Sequence, residues 1–136
     1  ARGRAAAHGG VQLSMHIGID IVQIERIRTA SQRSGEGFMT RVYTERELAY
    51  IGNPEENAER AAGIWAAKEA AVKALGTGFG DGILFHDMEI EHEERGRPYL
   101  VLAGRFREVM QQSGLSAASL SISHCGTHAV AAVVLG

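Results

Sequence analysis

Both lysines of this 136-residue chain lie in one segment, Trp65-Ala-Ala-Lys68-Glu69-Ala-Ala-Val-Lys73-Ala, and every other Lys/Arg cation is an arginine. Lysine offers a compact, strongly hydrated point charge where arginine offers a planar fork, so lysine confined to one segment suits a task needing a point charge. Phosphate is the obvious recipient. Glu69 and Lys73 are four apart and share a face if the segment is helical, which a plain i,i+4 ion pair also explains. Asp20 lies in the apolar run Ile17-Gly18-Ile19-Asp20-Ile21-Val22, which reads as a buried strand. A carboxylate there needs a cation. Asp20 and Glu69 together make an all-oxygen pair, and one or two carboxylates plus substrate phosphates is how Mg²⁺ is usually held. Lys73, one turn beyond Glu69, would face the same phosphates.

These side chains require a strand and a helix to carry them. Asn53-Pro54 predicts a helix start, with Glu55, Glu56 and Glu59 near its positive end, and Gly76 predicts its stop after Leu75. Apolar residues from Ala61 to Leu75 cover most of its circumference, so it should be buried on more than one side. From Met15 the order is a strand to about Val22, a helix from about Ile24 to Ser34, and a loop through Gly35 and Gly37. A short helix follows, with capping-box spacing at Thr44 and Glu47. After the motif helix, Met88, Ile90 and His92 alternate with Glu89, Glu91 and Glu93, and Gly96 turns the chain into Tyr99-Leu-Val-Leu, which predicts a hairpin. A helix from about Ala103 to Gln112 precedes two strands, Ser119 to His124 and Ala129 to Leu135. The last is apolar at nearly every position, which predicts cover on both faces, the second supplied across a symmetric interface or by the motif helix within a monomer. The fold class is therefore α+β, one compact domain with a largely antiparallel sheet packed against a long helix.

Composition sets limits. A domain of this length buries roughly two-thirds of its unfolded surface. With 45% hydrophobic and 22% charged residues and a net charge of −2, the chain gives no general reason to expect nucleic acid or anionic membrane as partner, and cytoplasmic is the default. One cysteine, Cys125, excludes an intrachain disulfide and a cysteine-based zinc cluster, and reads as a small core residue. Arg26, Arg28, Arg33 and Arg41 face only Glu36 between them, a solvated helix face or a docking surface for an acidic partner. Residues 1–14 read as a disordered or artificially appended leader, leaving residues 15–136 as the domain. The glycines after the motif helix follow it instead of preceding it, unlike a phosphate-binding loop, and His124 on its strand reads by itself as a hydrogen-bonded core histidine.

Gly18-Ile19-Asp20, the Trp65 to Gly78 segment and Ser121-Ile-Ser123-His124, in this order, resemble holo-acyl-carrier-protein synthase, the small bacterial type of 4′-phosphopantetheinyl transferase. The resemblance covers roughly Met15 to Gly136. It implies the 4′-phosphopantetheinyl transferase fold and transfer of 4′-phosphopantetheine from coenzyme A to a serine of apo acyl carrier protein, in fatty-acid or polyketide synthesis. It implies Mg²⁺ on Asp20 and Glu69, Lys73 on the leaving phosphate with Lys68 assisting from another face, and Gly76 and Gly78 beside the adenine. His124 would lie near the ribose 3′-phosphate, and Arg26, aided by Arg28, would dock the carrier. The serine's proton would pass to Glu69 or to a metal-bound water. A homotrimer with active sites between subunits is also implied. The larger transferases place a second acid two residues after the aspartate, where this chain has Val22. Many small-type members carry arginine before the motif aromatic, where this chain has Ile64. A Mg²⁺-dependent nucleotide pyrophosphohydrolase and a noncatalytic coenzyme A-binding module are the competing classes.

Overall fold

The computed structural model describes residues 15–34 and 36–136; the leader proposed for residues 1–14 lies outside them. β1 (His16–Gln23) runs into α1 (Ile24–Ser34), followed by α2 (Glu36–Val42), α3 (Glu45–Ile51) and the long α4 (Ala58–Leu75). A 3-10 turn at Phe85–Asp87 leads into β2 (Met88–His92) and β3 (Pro98–Leu102), then α5 (Gly104–Gln112), β4 (Ala118–His124) and β5 (His128–Leu135). The strands form two antiparallel sheets instead of one, β1-β5-β4 and β2-β3. Among the described residues no helix is long and apolar enough to cross a membrane.

Alanine is what lets α4 sit at the centre. Ala61, Ala62, Ala66, Ala67, Ala70 and Ala71 are all fully buried, and so short a side chain allows strand and helix backbones to come close without cost to helix propensity. β1 meets the C-terminal half of α4, where a Cβ on Gly18 would lie 2.0 Å from the Ala70 carbonyl oxygen. β4 meets the N-terminal half, where Ile122 packs on Gly63. The helix thus crosses the sheet obliquely.

Three expectations need correction. β1 is not buried on both sides: Gly18 and Val22 face inward with Asp20, while Ile17, Ile19 and Ile21 are 72%, 60% and 66% exposed. The alternation of a one-sided strand was hidden because its outer face is also apolar. β5 buries Ala129, Ala131, Val133 and Leu135, and its other face, Val130, Ala132 and Val134, the one expected to be covered across a symmetric interface, is partly open beside those isoleucines in the single chain. Where a loop through Gly37 was expected, the chain forms α2 from Glu36. The start of α4 lies at Ala58: Asn53 caps a separate turn by accepting from the Glu55 N–H at 2.8 Å, and Asn57 donates its side-chain N–H to the Ile51 carbonyl at 2.9 Å, which holds the chain out of the helix. The capping box of α3 is formed as expected, and Gly76 ends α4 at φ 91°, a left-handed conformation that glycine adopts without strain.

Candidate active site

The close crossing of β1 and α4 brings Asp20 against the last two turns of the helix. Lys73 Nζ donates to Asp20 Oδ1 at 2.9 Å and to the Ile19 carbonyl at 3.1 Å. The Asp20 side chain is 15% exposed and that of Lys73 53%, so the carboxylate lies at the floor and the lysine at the rim. Glu69, one turn earlier, is half-buried. Burial holds its carboxyl above the ordinary glutamate range, the negative charge of Asp20 raises it further, and Lys73 and Arg26 oppose the rise. Asp20, Lys73 and Arg26 therefore all lie close enough to act electrostatically on Glu69.

This arrangement fits a hard divalent cation. Two carboxylates whose charges repel are stabilised by positive charge beside them, and the Lys73 ammonium already stands at Asp20 in that capacity. Among the described residues no third His, Cys, Asp or Glu joins the pair to make a protein-only metal cluster. Remaining ligands must come from water and from a substrate's oxygens, as is usual for Mg²⁺.

Lys68 is not part of this group, contrary to expectation. It projects from a face about 140° around the helix from Lys73, and its side chain is fully buried. Its Nζ donates to Glu47 Oε1 at 2.7 Å and to the Val42 carbonyl at 2.6 Å. Glu47 in turn accepts from the Thr44 N–H at 2.9 Å and the Ile90 N–H at 2.7 Å. Burial pushes the Lys68 ammonium below the usual lysine range and the charge of Glu47 opposes that. The pair ties α2, α3 and β2 to the helix that carries Glu69. The sequence offered no sign of Glu47 as the partner beyond its capping-box position, which accounts for its hydrogen bond to Thr44 and not for its depth.

Arg26 and Arg28 also separate. Arg28 pairs with Glu25 and donates Nε–H to the Glu55 carbonyl at 3.1 Å, which commits it to holding α1 against the turn before α4. Arg26 has no ion-pair partner within 4.0 Å among the described residues. It lines an exposed groove along α1 with Thr29, Ala30 and Arg33.

His124 lies elsewhere. It borders a pocket of about 270 Å³ with Tyr50, Arg60, Ile64 and His92, alongside the N-terminal half of α4. Arg60 donates to the Tyr50 carbonyl at 2.9 Å and its guanidinium lies 5.2 Å from the Tyr50 ring centroid; His92 stacks on that ring at 4.2 Å. Arg60 was missed in the sequence, yet it sits four residues before Ile64 and hence on the same helical face. Lys73 is thirteen residues beyond Arg60, about 20 Å along the axis. Gly76 and Gly78 have open space where a Cβ would be, with φ of 91° and 62°. The structure accounts for both by backbone conformation.

Cys125 is exposed, not a core residue. It occupies the turn between β4 and β5, where the Thr127 hydroxyl and neighbouring backbone groups lower its thiol to about 7.

Residues 16–133 match the family model described as the 4′-phosphopantetheinyl transferase superfamily. The chain is similar to the holo-acyl-carrier-protein synthase of Verminephrobacter eiseniae, 45% identical over 122 residues, 90% of this chain and 93% of that relative. Its fold is similar to the crystal structure of the Helicobacter pylori holo-acyl-carrier-protein synthase in complex with coenzyme A, at TM-score 0.78 and 33% identity, covering 88% of this chain and 99% of that one. The Neisseria meningitidis holo-acyl-carrier-protein synthase gives TM-score 0.76 at 33% identity, covering 89% and 97%.

Proposed function

This chain belongs to the 4′-phosphopantetheinyl transferase superfamily, and from that premise we propose that it is a holo-acyl-carrier-protein synthase, transferring 4′-phosphopantetheine from coenzyme A to a serine of apo acyl carrier protein. The observation that carries this reading to particular residues is the meeting of Asp20, Glu69 and Lys73 where β1 crosses α4. The serine oxygen forms a bond to the phosphorus that bears pantetheine, the bond from that phosphorus to the bridging oxygen breaks, and adenosine 3′,5′-bisphosphate leaves. Phosphoryl transfer asks a protein mainly for positioning and charge stabilisation.

Each residue has a part in that. Asp20 and Glu69 would hold Mg²⁺, which when bound neutralises charge on the pyrophosphate and orients its oxygens. Lys73 Nζ, 2.9 Å from Asp20 Oδ1, would give the leaving phosphate a charge-assisted hydrogen bond. Glu69, on the same helical face as Lys73 and beside Asp20, is the carboxylate of this chain that would accept the serine proton. Arg26, free of an ion-pair partner within 4.0 Å among the described residues, presents positive charge for an acidic carrier beside this site.

A homotrimer with shared sites belongs to the same proposal. Ile17, Ile19 and Ile21 stand in register with Val134, Ala132 and Val130, a contiguous apolar face of the kind that protein interfaces cover. The His124–Arg60 pocket lies about 20 Å along α4 from Lys73, too far for one coenzyme A to place its pyrophosphate at Lys73 and its ribose 3′-phosphate at Arg60 of the same chain. The pocket suits the nucleotide of a substrate held by a neighbouring copy.

The decisive experiment is mass spectrometry of apo acyl carrier protein incubated with the chain, coenzyme A and Mg²⁺. One phosphopantetheine added to the acceptor serine is expected, and Asp20→Asn and Glu69→Gln should each lower the rate about 10²- to 10³-fold. Release of adenosine bisphosphate without carrier modification would instead indicate a hydrolase.

A further inference from the structure

The Lys73 ammonium occupies a position that its expected task does not explain. Its side chain is half-exposed, so its tip is free to point into solvent, where a strongly hydrated ammonium is at little disadvantage. Instead it bends back onto two acceptors of β1, Asp20 Oδ1 and the Ile19 carbonyl. There it lies beside the carboxylate that the proposed reading gives to the divalent cation. An ammonium 2.9 Å from Asp20 and a doubly charged ion on the same carboxylate repel each other.

We propose that Lys73 is a displaceable counter-ion that makes metal binding conditional on phosphate. Without substrate, its charge offsets the repulsion between Asp20 and Glu69, keeps the two carboxylates together and opposes entry of a free divalent ion. A substrate pyrophosphate offers the ammonium a second anionic partner a short swing away. Once Lys73 moves onto it, Asp20 is released for the metal, so metal and substrate bind with positive coupling. By linkage each tightens the other by the same factor. Lys73 is then both the residue that receives the leaving phosphate and the residue that excludes the ion in its absence. Lys68 offers no substitute, because it is buried against Glu47.

This inference rests on the reading of Asp20 and Glu69 as a metal site, and its test separates the two. Binding of Mn²⁺, as the metal probe, is followed by electron paramagnetic resonance on the full chain, with and without coenzyme A. Lys73→Met should bind Mn²⁺ alone about tenfold more tightly than the unaltered chain, because a neighbouring positive charge is gone. Its coenzyme A affinity should fall, and the factor by which coenzyme A tightens Mn²⁺ should shrink toward one. Lys73→Arg keeps the charge and should hold Mn²⁺ near the unaltered affinity, which distinguishes charge from bulk. Equal or weaker Mn²⁺ binding by Lys73→Met, or undiminished coupling, overturns the proposal. If Asp20→Asn also leaves Mn²⁺ binding unchanged, the metal reading itself fails.

Discussion

Gly18→Ala tests whether the backbone crossing of β1 and α4 is what builds the site. An alanine Cβ at this position would stand 2.0 Å from the Ala70 carbonyl oxygen and 2.5 Å from the Ala74 nitrogen, against the 3.4 Å at which ordinary contact begins. The obstacles are backbone atoms within a helix, which no rotamer change can move. Strand and helix must therefore part by about 1 Å or more, with an overpacking cost of typically about 1–3 kcal/mol. For a domain of this size that lowers Tm by about 3–15 °C. The same displacement acts on Asp20, two residues along β1, and on Glu69 and Lys73, which flank Ala70. Opening the 2.9 Å Lys73–Asp20 contact by that amount takes it beyond hydrogen-bond reach, and a misplacement of reacting groups by about 1 Å can cost about 10²-fold in rate. The assay is paired: thermal unfolding by circular dichroism, and carrier modification measured well below the variant's Tm. A variant that melts at the unaltered temperature, or one that is destabilised yet fully active, would refute the claim that this close approach sets the site's geometry.

Glu69→Gln should raise Tm at neutral pH while slowing transfer about 10²- to 10³-fold. The folded-state carboxyl is held above its unfolded value, so its stability contribution is full below the unfolded pKa of about 4.3 and is lost as pH rises through the folded one; below about pH 4 the two melting temperatures should converge. Lys68→Met leaves Glu47 buried without its cation and should cost about 3–5 kcal/mol in denaturant unfolding, with Lys68→Met/Glu47→Gln recovering part of it. Arg60→Ala should raise the KM for coenzyme A several-fold and leave that for 3′-dephospho-coenzyme A unchanged; equal effects on both would remove Arg60 from phosphate recognition. Arg26→Glu should raise the KM for the carrier more than that for coenzyme A, with a difference that shrinks as salt is added.

The site was legible in sequence where chemistry and local spacing coincide. Glu69 and Lys73 share a face because they are four apart, and an acid within the Ile17–Val22 run demands a cation wherever the strand is placed. What local pattern cannot supply is the far partner. Lys68 looks like a second phosphate ligand until Glu47, 21 residues away, is seen beneath it. Asn53-Pro54 has the chemistry of a helix start and does cap a turn, but Asn57 spends its amide on Ile51 and delays α4. Cys125 follows a strand pattern yet falls in the turn between strands. The isoleucines of β1 concealed its alternation because hydrophobicity marks burial without saying whether the cover comes from the same chain. The split between His124 and Asp20 follows from the oblique path of α4, a three-dimensional fact with no trace in spacing.

The antiparallel pairing of β1 with β5 also governs when the enzyme can come into being. Among the described residues β5 is the only strand that β1 pairs with, and Asp20 lies opposite Ala131. At about 5–20 residues per second, a ribosome needs roughly 6–22 s to translate from one to the other. During that interval the aspartate exists but has no sheet to hold it, and the Ile17, Ile19 and Ile21 row emerges without its neighbour. Nascent chains are then open to chaperones and to one another through the same apolar residues. Truncation within β5, which contributes no side chain to the Asp20–Glu69–Lys73 group, should therefore abolish the site as completely as removal of the acid itself.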